Sequence, residues 1–317
     1  MNKSVMLLIA CSMMIILAAC SDGSEEPEAD EANETTQEGS LYPLTLEDAR
    51  GTEFTLEEQP EKIISLLPSN TEMIYSLDAW DQLIAVTGND DYPPEANELP
   101  TVGDMTIDVE ETISQNPDVV LAGQINDMDA IGQIEEAGIP VVVIEDTNSF
   151  EDLYDTIEFV GTVLGKQNEA EVLINDMQAR IESIEAVAQN IPDEDQLDVW
   201  VEVDADPDLF TTGSETFVDE MLTMIGANNV AHEEVGWVQY TEEDAISLNP
   251  NVIIITYGAY IENSEENVLN RAAWQSVPAV EDERVYSLDD ANTVSRQGPR
   301  LIEGVETLAE LIYPEYY

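Results

Sequence analysis

The chain has 317 residues, with 9 basic against 69 acidic side chains and a formal net charge of −60. A charge of that sign and size excludes nucleic acid and anionic membrane surfaces as partners, since both would repel it. With 43% of residues apolar and about 275 residues beyond a leader and linker, there is chain enough for two packed lobes.

Lys3 supplies a positive start, and Val5 to Ala19 is apolar except for Ser12. That run of about fifteen residues is short for a membrane span and right for a signal peptide over residues 1–19. It ends in Leu17-Ala18-Ala19-Cys20, which looks like a lipobox. Small residues admit a signal peptidase, and acylation of Cys20 would anchor the protein stably. The other reading is an ordinary secretory peptide with an incidental cysteine. Cys11 and Cys20 are the only cysteines, so the mature domain is expected to rely on packing rather than disulfides. Residues 20–42 then form an acidic linker poor in aromatic and branched aliphatic residues, which reads as a disordered tether. Acids continue along the whole chain. They read as a solvated, halophilic surface for a saline or alkaline exterior, where salt screens self-repulsion; the other reading is an acidic face for a cationic ligand.

Residues 44–56 predict a hairpin turning near Arg50-Gly51. Ile63 to Leu67 predicts a strand and Thr71 to Leu77 a helix, with Asn70 as its N-cap. The runs at 119–123 and 139–146 predict buried parallel strands, and a second set follows at 198–204, 251–258 and 284–290. Between the sets, Gln167 to Gln189 has neither Pro nor Gly and carries apolar residues at helical spacing, a rod of about 35 Å. The two halves repeat. The segment from Gly103 to Val120 aligns without a gap on that from Gly236 to Ile253, pairing Glu110 with Glu243, Ile113-Ser114 with Ile246-Ser247 and Asn116-Pro117 with Asn249-Pro250. Each copy predicts a loop, a helix stopping at Asn-Pro, and a hydrophobic strand.

At residues 61–87, 91–96 and 295–315, together with the paired NPDVV and NPNVI segments, the sequence resembles the helix-bridged solute-binding proteins of ABC importers for cobalamin and iron–siderophore complexes. DYPP, PDLFTTG, GWVQ and RQGPR look most like the cobalamin binders. The resemblance implies an α/β fold of two similar three-layer lobes, each with a mainly parallel sheet, bridged by one long helix with the ligand cleft between them. The expected organisation is an N-terminal lobe over 43–148, a helical segment with the bridge over 149–190, and a C-terminal lobe over 191–317. The implied protein is a lipid-anchored monomer on the outer face of the cytoplasmic membrane. It would bind no resident cofactor and carry a cobalt corrinoid or, alternatively, a ferric hydroxamate-type siderophore to an ABC permease dimer.

Aromatic faces suit a large macrocycle with polar edges, and the resemblance places Trp237 and Phe210 against it. Arg296 matches a position that donates hydrogen bonds to ligand amides or carboxylates; a structural salt bridge is the other reading, and the favoured one for Arg300. Tyr92 and Tyr257 follow strand ends and are further ligand candidates, although turn structure alone accounts for DYPP. The family's docking glutamates fall on Glu110 and Glu243, one in each repeat. Asn89 and Asp104 depart from the tyrosine and tryptophan that cobalamin binders carry, which leaves the siderophore alternative open. His232, the one histidine, reads as a surface residue. A secreted enzyme is the low-ranked alternative: GxSxG, HExxH and GxxxxGK[ST] are all absent from the chain. The expectation is a binding protein.

Overall fold

The computed structural model describes residues 41–205 and 208–317. The expected signal peptide, Cys20, and the linker as far as Ser40 lie outside the described residues, as do Asp206 and Pro207, the latter the first residue of the PDLFTTG motif. Packing begins at Tyr42, one residue inside the expected linker, where the Tyr42 hydroxyl donates to the Val163 carbonyl at 3.1 Å.

Strands β1 (Leu44–Glu47) and β2 (Glu53–Leu56) form the expected hairpin, with Leu44 opposite Leu56. The buried Asp48 carboxylate closes its turn by accepting from the backbone N–H groups of Arg50 and Thr52. It also accepts from the N–H of Val143, which ties the hairpin to the first sheet.

The first lobe runs β3 (Ile63–Ser65), α1 (Pro68–Ser76), β4 (Leu83–Ala85), α2 (Val109–Ser114), β5 (Val119–Gly123), α3 (Met128–Glu136) and β6 (Val141–Ile144). Its sheet is parallel throughout, in the order β4-β3-β5-β6. Alternate side chains go to different cores: Val119, Leu121 and Val142 join the large central cluster, while Val120, Ala122 and Val143 join a smaller one that includes Ile131 and Ile134 of α3. With both faces covered, these strands read as unbroken apolar runs. The N-terminus of α1 differs from expectation. Pro68 is the first helical residue and Leu67 the cap, because proline presets the helical φ and needs no hydrogen-bond acceptor for its nitrogen. Asn70 instead lies inside the helix, donating from Nδ2 to the Ala122 carbonyl.

Helices α4 (Phe150–Leu164) and α5 (Gln167–Ala188) lead to the second lobe. This contains β7 (Asp198–Glu202), β8 (Leu209–Thr212), α6 (Phe217–Met224), β9 (Asn228–Asn229), β10 (Trp237–Tyr240), α7 (Glu242–Ser247), β11 (Val252–Ile255), α8 (Ser264–Leu269), α9 (Pro278–Glu281), β12 (Val285–Ser287), α10 (Asn292–Ser295) and α11 (Leu301–Ile312). The main sheet is again parallel, ordered β12-β11-β7-β9, and β8 pairs with β10 as a separate antiparallel ribbon.

The repeat holds at the level of backbone. Gly103 and Gly236 both take positive φ, as do Asn116 and Asn249 after α2 and α7. A Cβ at Gly103 would lie 2.1 Å from the Thr106 carbonyl oxygen, so only glycine fits there.

One apolar cluster runs through both lobes and the bridge, joining Ile74 of α1, Leu153 and Ile157 of α4, Met177 and Ile181 of α5, Leu222 of α6 and Leu308 of α11. Hinge closure would shear this close-packed core. We therefore expect ligand to change the radius of gyration in solution scattering by no more than a few tenths of an ångström. A contraction well beyond that would contradict the rigid bridge.

Candidate functional site

Loops after the parallel strands of the two lobes meet through the segment between α10 and α11. Thr147, after β6, donates its N–H to Gln297 Oε1 at 3.1 Å. Arg296 reaches Glu72 on α1 at 2.9 Å and Asp91, after β4, at 2.5 Å. Arg300 lies against Glu72 at 3.3 Å, Glu303 at 3.4 Å and Asp290. Its guanidinium carbon stands 3.9 Å from the centre of the Tyr92 ring, a cation–π contact. Two second-lobe arginines thus grip first-lobe carboxylates at the base of the cleft. The Glu72 side chain is fully buried; burial pushes its carboxyl above the ordinary range, and the two guanidinium groups pull it back.

On the second lobe, the ends of β7 and β11, the β8–β10 ribbon and α10 line an open cavity of about 420 Å³. Trp237 opens β10, paired with Thr212 of β8, and both line the cavity with Tyr257 and Tyr260. Trp237 is 61% exposed and Tyr260 87%, so two aromatic rings stand over a concave wall with little else covering them. A flat, apolar ligand surface is what such rings can hold. The Tyr257 ring lines the cavity, but its hydroxyl donates to Glu202 Oε1 at 2.5 Å. Glu202 is fully buried and takes two hydrogen bonds from Arg271, at 2.6 and 2.7 Å. Desolvation and the Glu202 charge together push the Tyr257 hydroxyl well above its ordinary range, so it stays protonated as a donor.

The structure therefore separates the expected ligand residues into two groups. Trp237 and Tyr257 line the second-lobe cavity. Tyr92 and Arg296 sit at the interlobe base, with Arg296 already held by carboxylates. Half-buried Phe210 pairs with Gln239 and shares the strand face of Thr212.

Several exposed side chains were not singled out from the sequence. Tyr260 follows β11, Ile125 follows β5 and is 73% exposed, and Met105 is 83% exposed in the loop before α2. Met105 lies beside Asn89, whose Nδ2 is 3.7 Å from its Sδ. The two positions that depart from aromatic, Asn89 and Asp104, are thus accompanied by a soft thioether. An isolated apolar residue in a polar post-strand loop was the available signal, and by itself it is weak.

Glu110 and Glu243 are both the second residue of a six-residue helix and both exposed. The caps match too: Asp108 accepts from the Glu111 N–H and Thr241 from the Asp244 N–H. His232 is exposed on the surface, paired with Asp219 at 3.0 Å.

The chain matches the family described as "Periplasmic binding protein" over residues 63–291. It is 39% identical over 306 residues to the uncharacterized ABC transporter substrate-binding lipoprotein YvrC of Bacillus subtilis, covering 96% of this chain and 95% of that one. A vitamin B12-binding protein of Pectobacterium atrosepticum is 30% identical over 252 residues, 77% of this chain and 85% of its own. Among solved structures, a possible iron-binding (periplasmic solute-binding) protein from Staphylococcus epidermidis superposes with a TM-score of 0.72 at 29% identity. It covers 81% of this chain and 100% of its own.

Proposed function

The chain belongs to the periplasmic binding protein family, and we propose that it is the extracytoplasmic substrate-binding lipoprotein of an ABC importer that captures a cobalamin-type corrinoid. Family members of this kind are transport proteins that bind a small molecule and work with a permease, not enzymes. The observation that carries the reading is the pair of exposed rings, Trp237 and Tyr260, over the cavity at the strand ends. A corrin offers an apolar face edged with amides, and aromatic walls with scattered hydroxyl and amide groups suit both. The likeness to the vitamin B12-binding protein of Pectobacterium supports the same ligand class.

A ferric hydroxamate-type siderophore is the second reading. It is favoured by Asn89 and Asp104, where an aromatic floor is missing, and by the likeness to the Staphylococcus protein. Incubation with a panel of corrinoids and ferric chelates, followed by native mass spectrometry, tests the two. Within it, Trp237→Ala should weaken the ligand by about 2 kcal/mol or more, as loss of a central aromatic anchor does. Unchanged affinity in calorimetry would remove Trp237 from the site.

In this reading residues 1–19 are cleaved, Cys20 carries the lipid, and the segment to about residue 42 tethers a monomeric domain outside the membrane. The lobes divide near 148 and 190, and Glu110 and Glu243 dock the two permease subunits. The acidic surface suits a saline exterior.

A further inference from the structure

Among the described residues, each arginine at or near the cleft already meets a carboxylate. Among the residues lining the 420 Å³ cavity none is Lys or Arg, and the one charged side chain is Asp204. At the interlobe base, the two guanidinium groups of Arg296 and Arg300 are surrounded by four carboxylates: Glu72, Asp91, Asp290 and Glu303. Arg271, the remaining arginine near the cavity wall, is spent on buried Glu202. An arginine fork is the usual grip on a ligand carboxylate or another anionic oxygen. Here two carboxylates already share Arg296 Nη1 and offset its charge. Glu72 holds it from within with a fully buried side chain, and Asp91, 57% exposed, covers it at 2.5 Å from the outer side. The second oxygen of Glu72 is buried without a hydrogen-bond partner and faces Gly298, adding negative potential under the same guanidinium.

We propose that the cleft selects by charge, taking neutral or cationic metal chelates and rejecting anionic ones, with Asp91 as the residue that enforces the choice by covering Arg296. An anionic chelate approaching Arg296 would face Asp91 and the surplus carboxylates in a partly desolvated site, where like-charge contact is costly. A neutral corrinoid edged with amides, or a hydroxamate chelate with a cationic arm, meets no such penalty. Chelates bearing free carboxylates or a net negative metal centre do. The inference rests on the ligand class proposed above and narrows it.

The test uses two congener series, each with a constant core, titrated calorimetrically into the intact protein. One compares cyanocobalamin with the derivative in which three side-chain amides are hydrolysed to carboxylates. The other compares ferrioxamine B, which carries an ammonium arm, with its neutral N-acetyl and anionic N-succinyl forms. In whichever series binds, the anionic member should bind about tenfold or more weakly than the neutral one. Asp91→Asn should shrink that gap at least about threefold by freeing Arg296, whereas Asp91→Glu should preserve it. Equal or tighter binding of the anionic member would overturn the charge rule. A gap unchanged in Asp91→Asn would overturn the role of Asp91. Binding in neither series would instead remove the ligand-class reading, and this inference with it.

Discussion

Replacing Glu110 and Glu243 together by alanine should abolish uptake and permease binding while leaving ligand affinity as it was. The two residues occupy the same position on α2 and α7, with matching caps and matching left-handed asparagines at the helix ends. One therefore stands on each lobe in equivalent local geometry, which suits a permease made of two like subunits. Both are exposed, so neither contributes much to stability, and the variant should fold. In the docked complex each would become a desolvated partner of a cation. Losing such a partner costs about 2–5 kcal/mol, against little for a rim charge. Two such losses exceed what an importer complex of ordinary affinity survives. The comparison is Glu182→Ala with Glu185→Ala, exposed acids on the bridging helix, which removes the same net charge. Transport assays in which both double variants perform alike would dismiss the docking assignment.

Glu72→Ala should be the most destabilising single change at the interlobe base, by about 3–5 kcal/mol. Its carboxylate is fully buried and is shared by Arg296 and Arg300. Truncation strands part of the positive charge of two largely buried guanidinium groups and leaves a void between the lobes. Asp91→Asn removes a neighbouring carboxylate that is more than half exposed, and should cost under about 1 kcal/mol. Urea unfolding separates the two, because a change in midpoint at constant slope reports stability directly. If Glu72→Ala unfolds within about 1 kcal/mol of the parent protein, the base of the cleft is held by the shared apolar core alone and the ion cluster contributes little.

Much of the fold was legible because its signals are local. Strands β5, β6 and β11 are buried on both faces, so each appears as an apolar run that no other element explains. The bridging helix ends within a residue of its expected end, because Lys166 to Gln189 offers no proline or glycine to stop it. The repeat was legible through Asn-Pro, since the residue before proline leaves the helix. Other elements were not. Strands β4 and β9 have three and two residues, too few for any period to show. The β8–β10 ribbon alternates polar and apolar side chains only weakly. The start of α1 was misplaced because Asn70 is a good cap by type, while Pro68 decides the first turn by its ring.

By itself the sequence determined the acidic balance, the two-fold α/β plan and the positions of the paired glutamates. These rest on composition, periodicity and self-similarity, which need no knowledge of distant contacts. Which carboxylate each arginine meets was decided only by the tertiary structure. With 69 acids in the chain, every arginine has many candidate partners, and spacing favours none of them. The answer came from tertiary packing, which brings residue 296 to residue 72 across the lobes and residue 271 to residue 202 within the second. The same packing left Trp237 and Tyr260 bare while burying Trp200 and Trp274 completely. Side chains of one chemical type differ in role only through what the fold lays over them.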